Sequence, residues 1–243
     1  MTRVAVTGSD GFIGKNLLEC LSHLDGVDIR CYDRNSTASL DDIVQGVDLI
    51  YHLAGINRPE HPSDFNMNVD LTGEIINILE NLKQKPIIVF SSSAQAVLDN
   101  PYGLSKKATE ELLIKYHKKT NAPVYIYRLP GVFGKWSRPN YNTVVATFCY
   151  NIARDMNISI SDPNRELELV YIDDVLESFI SILKNHGQSG VERPSVSPVY
   201  KITLGKLADT IYEFRANSSL TMDDLSDNLT KCLYATYQSF LPE

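Results

Sequence analysis

Arg3-Val4-Ala5-Val6-Thr7 runs directly into Gly8-Ser9-Asp10-Gly11-Phe12-Ile13-Gly14 and then into Lys15-Asn16-Leu17-Leu18-Glu19-Cys20-Leu21. The first five residues form a short, apolar, β-branched run, as in a parallel strand buried on both faces. The last seven carry helical periodicity. A Gly-x-x-Gly-x-x-Gly turn therefore joins a strand to a helix. Gly8 permits the tight turn, Gly11 lets the backbone approach a pyrophosphate at the helix N-terminus, and Gly14 lets helix and strand pack closely. Asp10, Phe12 and Ile13 share this turn and are expected beside the same cofactor.

Working outward, Val27 to Asp33 reads as a second strand. It ends in Asp33-Arg34, about twenty residues past Gly14, where ribose specificity is set. Asp33 alone favours NAD by accepting from ribose hydroxyls, whereas Arg34 suits a 2'-phosphate or an adenine face. The two signals conflict. Ser39 to Gly46 reads as one short helix. Val47 to Leu53 is another buried strand, followed by small residues, so Leu53, Ala54 and Gly55 are expected against the cofactor. His52 reads as a core-facing histidine. Arg58, in the loop Ile56 to Glu60, stands where a parallel sheet opens its ligand crevice, and either meets a phosphate or is a solvated loop arginine. Phe65 to Leu82 reads as a long helix carrying Asn68.

Pro86 to Phe90 is a strand with Ser91-Ser92-Ser93 at its carboxyl end. After Asn100-Pro101, residues Tyr102 to Lys118 have a strong helical pattern. Tyr102 and Lys106 lie four apart on one face. An ammonium beside a phenol favours the phenolate, so Lys106 is expected to lower the Tyr102 pKa. Such a tyrosine exchanges protons nearer neutral pH than an ordinary one. Asn121 to Leu129 is the next strand, closed by Pro130-Gly131. Beyond it, residues 131–153 begin as a loop and turn helical near Asn142. A helix N-terminus after a loop carrying Lys135 and Arg138 suits a diphosphate. Ile158-Ser159-Ile160 reads as a short strand, Asp173 to Lys184 as a helix, and Gly187 to Pro198 as a connector. Val199 to Thr203 and the helix Leu204 to Phe214 follow, and Ser218 to Pro242 reads as mostly helical.

The 243 residues carry a net charge of -7 and no basic run, which argues against nucleic acid or an anionic membrane as partner. The four cysteines are scattered, without a C-x-x-C pair, and the histidines lack metal-ligand spacing. Reduced thiols and no metal site are expected. A strand-like run starting at Arg3 leaves no room for a signal peptide, and no apolar stretch is long enough to span a membrane. A cytoplasmic location is expected.

Taken together, Thr7-Gly-x-x-Gly-x-x-Gly14, His52-Leu-Ala-Gly55, Ser91-Ser-Ser93, Tyr102-x-x-x-Lys106 and Arg128-Leu-Pro130 resemble the extended short-chain dehydrogenase/reductases in order and spacing, over nearly the whole chain. That resemblance implies an α/β fold, a Rossmann-like doubly wound parallel sheet with a small C-terminal substrate-binding lobe. It divides the chain into residues 1–130 and 166–186 for the dinucleotide and residues 131–165 and 187–243 for the substrate. It implies Ser93, Tyr102 and Lys106 as the catalytic set, with Tyr102, Lys106 and Pro130 also touching the cofactor. Arg165 falls where relatives contact a nucleotide-sugar phosphate. One departure is the short Ser39 to Gly46 piece, where many members have an extra strand.

Residues Phe133 to Asn142, Val145 to Tyr150, Ile56 to Glu60 and Tyr234 to Pro242 narrow the resemblance to CapF-type capsular polysaccharide enzymes. The reductase part of those enzymes uses NADPH to reduce the 4-keto group of a UDP-linked 2-acetamido-2,6-dideoxy-hexulose, giving UDP-N-acetyl-6-deoxytalosamine, a precursor of N-acetyl-L-fucosamine. The reductive role tips the conflict at Asp33 and Arg34 toward NADP(H). Those relatives continue into a metal-binding cupin domain with epimerase activity, so no epimerase step of that kind is expected from this chain. A homodimer through the Phe65 to Leu82 and Tyr102 to Lys118 helices is the oligomer the resemblance suggests. Two alternatives stand beside the reductase: a nucleotide-sugar 4-epimerase with tightly bound NAD, and a non-catalytic dinucleotide sensor or scaffold. A 4,6-dehydratase is disfavoured, because Ser93 is followed by Ala94-Gln95-Ala96 and no acid.

Overall fold

The computed structural model describes residues 1–185 and 190–242. Strands and helices alternate through the first half: β1 (Thr2–Thr7), α1 (Phe12–Ser22), β2 (Val27–Tyr32), α2 (Leu40–Val44), β3 (Leu49–His52), α3 (Asn66–Asn81), β4 (Ile87–Ser93), α4 (Pro101–Thr120) and β5 (Val124–Leu129). Then come β6 (Gly131–Phe133), α5 (Val144–Ile152), β7 (Glu166–Tyr171), α6 (Ile172–Lys184), β8 (Val191–Glu192), β9 (Tyr200–Thr203), α7 (Leu204–Ala216) and α8 (Asn228–Gln238). The chain forms two compact units, Met1–Leu129 with Leu176–Val196, and Pro130–Val175 with Ser197–Glu243. The 186/187 boundary expected from sequence lies outside the described residues.

In the first unit six strands run parallel in the order β2-β1-β3-β4-β5-β8. The order reverses between β1 and β3, so the carboxyl ends of these two strands flank a topological switch point, where open parallel sheets bind ligands. The central strands are buried on both faces, as their continuous apolar runs require. Ala5, Ile50, Ile88 and Ile126 share a core with Ile75 and Leu79 of α3 and Leu113 and Tyr116 of α4. The edge strand β2 alternates Val27, Asp28, Ile29, Arg30 and is only half-buried. α4 starts where Asn100 accepts from the Gly103 N–H at 2.8 Å and Pro101 takes the first helical position. It ends at Asn121, in the left-handed region at φ 60°.

The second unit holds a three-stranded sheet, β6-β7-β9, with β6 and β7 parallel and β7 and β9 antiparallel. Phe133, Phe148, Ile152, Leu207, Ile211, Phe214 and Leu233 lie in its core.

The structure corrects two sequence readings. Ile158 to Ile160 is not a strand; Ile158 packs on the second core without a ladder partner. The helix read over Phe65 to Leu82 stands as α3, one residue shorter at each end and preceded by a 3-10 turn, Pro62–Phe65. Between Ser218 and Pro242 only α8 is α-helical. The stretch before it is tied down by a capping box at Thr221 and Asp224, and Asp227 caps α8 at the Thr230 N–H. Within the connector, Val191–Glu192 adds β8 to the first sheet, and residues 187–189 lie outside the described residues. Among the described residues no helix is long and apolar enough to cross a membrane.

Candidate active site

The glycine turn is built as its spacing requires. Gly8 sits at φ +72°, and a Cβ there would lie 2.6 Å from the Ala54 N, so β1 and the end of β3 approach as closely as backbones allow. A Cβ on Gly14 would overlap the Gly8 carbonyl. Gly11 is the N-cap of α1 and offers no side-chain acceptor to its first turn, which leaves those N–H groups without a side-chain cap. Asp10 and Gly11 are exposed, and Phe12 and Ile13 half-buried. Asp33 closes the turn: Oδ2 accepts from Ser9 Oγ at 3.0 Å and Oδ1 from the Asn35 N–H at 2.7 Å. The Asn35 N–H, then Ser9, hold the Asp33 carboxyl below the usual range. Arg34 is exposed beside it.

Polar groups organise the wall of the switch point. His52 is fully buried between Thr7 Oγ1, 2.7 Å from its Nδ1, and Thr72 Oγ1, 2.8 Å from its Nε2. Thr72 donates to the Asn68 carbonyl at 3.0 Å, so its oxygen accepts from an Nε2–H and the ring is that tautomer. Burial, reinforced by the Lys106 charge, pushes the His52 pKa down to about 3. Asn68 clamps the next loop, accepting from the Ile56 N–H at 2.6 Å and donating to the Ile56 carbonyl at 3.0 Å.

Ser93, Tyr102 and Lys106 come together at the carboxyl end of β4 and the first turns of α4. The Gly103 position makes this possible, because a Cβ there would overlap the Gln95 carbonyl and lie 2.8 Å from that of Leu98. Tyr102 packs against Phe65, with ring centroids 5.9 Å apart, and feels the Ser93 side chain at the end of β4. Lys106 is 4% exposed; its Nζ donates to the Ser91 carbonyl at 2.9 Å and sits 4.8 Å from the Phe90 ring centroid. A Cβ on Gly55 would come 3.1 Å from that Nζ, closer than ordinary van der Waals contact, so glycine leaves room beside the ammonium.

The electrostatics correct one expectation. Burial raises the Tyr102 pKa, and only the Ser93 hydrogen bond opposes it. Lys106 Nζ lies 6.0 Å from the Tyr102 ring centroid and spends a proton on Ser91, so it does not pull the phenol down. Burial pushes Lys106 itself down to about 8, against the opposing Glu110 charge. Tyr102 is thus a protonated acid at neutral pH.

The remaining predicted residues divide between the two units. In the first unit, Leu53 and Ala54 follow β3, and Arg58 is exposed on the following loop. In the second unit, Pro130 leads into β6, Lys135 and Arg138 stand 4.5 and 4.8 Å from the ring centroids of Trp136 and Tyr141, and exposed Asn142 precedes the Thr143 N-cap of α5. Arg165 is exposed at the start of β7. Sequence reading passed over Thr72 and Glu110; the i, i+4, i+8 spacing of Tyr102, Lys106 and Glu110 was the available signal for the last.

An open helix N-terminus, close-packed glycines, a carboxylate twenty residues on and an approachable ammonium define a dinucleotide-binding α/β unit with a Ser-Tyr-Lys constellation. The chain belongs to the NAD dependent epimerase/dehydratase family, whose model matches residues 4–193, within the extended short-chain dehydrogenase/reductases. It is 45% identical over 244 residues to the UDP-2-acetamido-2,6-beta-L-arabino-hexul-4-ose reductase of Pseudomonas aeruginosa, covering 99% of this chain and 65% of that protein. The structure superimposes on the capsular polysaccharide assembling protein CapF of Staphylococcus aureus with a TM-score of 0.86 and 40% identity, covering 98% of this chain and 66% of CapF. The chain thus spans just under two thirds of the length of both. It also resembles a UDP-glucuronic acid 4-epimerase from Bacillus cereus solved with NAD, at a TM-score of 0.82, 19% identity and 98% coverage of each chain, which shows the shared fold.

Proposed function

We propose that the chain is a cytoplasmic, NADPH-dependent reductase of the 4-keto group of a UDP-linked 2-acetamido-2,6-dideoxy-hexos-4-ulose, forming UDP-N-acetyl-6-deoxy-L-talosamine for capsular polysaccharide. The observation that carries this reading is the Ser93, Tyr102, Lys106 constellation in a chain 45% identical to a reductase of such a UDP-sugar. The first unit's Gly8, Asp10, Gly11, Phe12, Ile13, Gly14, Asp33, Arg34, Leu53, Ala54, Gly55 and Lys106, together with Pro130, hold the dinucleotide. When bound, the reduced nicotinamide supplies the hydride.

Tyr102 gives its phenolic proton to the oxygen of the substrate carbonyl. A secondary alkoxide is more basic than a phenolate, so a buried phenol with a raised pKa still donates downhill. Ser93 donates its hydroxyl hydrogen to the same oxygen. Lys106 binds ribose hydroxyls from the floor of the crevice. Arg58, and in the second unit Lys135, Arg138, Asn142 and Arg165, serve the substrate's diphosphate. The NADP(H) preference is drawn from the reductive role and from Arg34, with Asp33 opposing it.

The test is the loss of reduced-nicotinamide fluorescence when purified protein meets the UDP-4-keto sugar with NADPH or NADH. Faster oxidation of NADPH, with talose-configured product, is expected. Tightly bound NAD released on heating, with epimerisation and no need for added reductant, would replace this reading with the 4-epimerase. Dinucleotide binding without turnover of any 4-keto sugar would replace it with the sensor.

A further inference from the structure

The three serines that end β4 each meet one side chain from successive turns of α4. Ser93 acts on the Tyr102 phenol, the Ser91 carbonyl accepts from Lys106 Nζ at 2.9 Å, and Ser92 Oγ donates to Glu110 Oε1 at 2.5 Å. Tyr102, Lys106 and Glu110 are four residues apart and share one helix face. The reaction proposed above uses the first two and gives Glu110 no task.

Glu110 is nevertheless 2% exposed and fully engaged. Arg128 on β5 donates from Nε to Oε1 at 2.9 Å and from Nη2 to Oε2 at 2.7 Å. Burial alone would raise the Glu110 pKa; the hydrogen bonds from Arg128 and Ser92 overcome this and hold it below the usual range. A packed apolar residue serves stability about as well as a buried ion pair, so the use of this carboxylate is sought in its field.

The groups around Lys106 define that field. His52 on β3 is neutral, Tyr102 on α4 is protonated, and Asn68 on α3 and Ser91 on β4 offer only dipoles. Arg128 lies beyond Glu110, and Arg193, past β8, acts on Glu110 as well. Among the described residues facing Lys106, Glu110 supplies the negative charge.

We infer that Glu110, clamped by Ser92 and Arg128, is a positioning residue that holds α4 in register on β4 and keeps Lys106 charged at the dinucleotide crevice. The importance of that charge rests on the cofactor role proposed for Lys106; the charge state itself does not.

The experiment follows the Lys106 Cε resonance against pH in the cofactor-free 243-residue chain labelled with 13C-lysine, assigned by its loss in Lys106→Met. Glu110→Gln moves the titration to lower pH by on the order of one unit, the scale of a partly neutralised charge about 6 Å away. Arg128→Met moves it upward, because Lys106 then faces an unneutralised carboxylate. Shifts of opposite sign are the signature. The inference is overturned if Lys106 titrates at the wild-type pH in both variants, or moves in the same direction in both. If Glu110→Gln does not fold, the upward shift in Arg128→Met, with none in Ser92→Ala, supports the inference, and its absence overturns it. NADPH affinity against pH, read by fluorescence in the same proteins, separates this inference from the proposed function. An affinity that ignores a moved Lys106 titration refutes the cofactor role and leaves the action of Glu110 standing.

Discussion

Replacing Lys106 by Met is expected to stabilise the protein while destroying its activity. The Lys106 ammonium lies in the core, where burial lowers its pKa from an ordinary 10.5 to about 8. At about 1.4 kcal/mol per pH unit, keeping it charged costs the native state about 3 kcal/mol. Methionine fills nearly the same space but leaves the Ser91 carbonyl without its 2.9 Å donor, at a cost of about 1 kcal/mol. The net expectation is a gain of about 2 kcal/mol near neutral pH. The pH dependence gives the reasoning its sign. Because the folded pKa lies below the unfolded one, the native wild type binds fewer protons than the unfolded chain between about pH 8 and 10.5. Its penalty is therefore complete below about 8 and is relieved as pH rises through that window. Urea unfolding followed by circular dichroism should show Lys106→Met ahead at pH 7 and the gap closing toward pH 10. A variant less stable than wild type at pH 7, or a gap that does not change with pH, refutes the argument.

Three further outcomes follow from the same geometry. Tyr102→Phe should lower turnover by about 10²- to 10⁴-fold while NADPH affinity, measured by fluorescence titration, stays within a few-fold. Gly103→Ala places a methyl on the Gln95 and Leu98 carbonyls, so thermal unfolding should report a loss of about 2 kcal/mol or more, accompanied by lost turnover as Tyr102 shifts. His52, with a pKa of about 3 against an ordinary 6.5, stays neutral while the unfolded chain takes up a proton. Native stability should therefore fall by about 1.4 kcal/mol per unit as pH drops below about 6.5, and His52→Gln, less stable at neutral pH, should show a shallower acid slope in urea titrations.

The parallel sheet was legible because its central strands are buried on both faces and leave apolar runs such as Ile87 to Phe90. The glycine turn was legible because Gly8 and Gly14 answer steric demands that other residues cannot meet. The Tyr102 and Lys106 pair was readable as spacing, but its electrostatics were not: the ammonium's choice of Ser91 over the phenol depends on where β4 ends relative to α4. Ile158 to Ile160 looked like a strand because β-branched residues also serve as single anchors on a core. The partners of Glu110 come from β4 and β5, eighteen residues away on either side, beyond any local pattern.

The three contacts between Ser91–Ser93 and α4 also govern how this segment tolerates change in length. A strand advances about 3.3 Å per residue and a helix about 1.5 Å with a 100° rotation. One residue gained or lost inside β4 turns Ser92 to the opposite face, and one between Tyr102 and Glu110 rotates the side chains on either side of it by about 100° relative to one another. Residues 91–110 therefore behave as a single indivisible cassette. Insertions for tagging or permutation belong outside it, and transplanting the chemistry to another scaffold means moving the strand end, the turn and the helix as one piece.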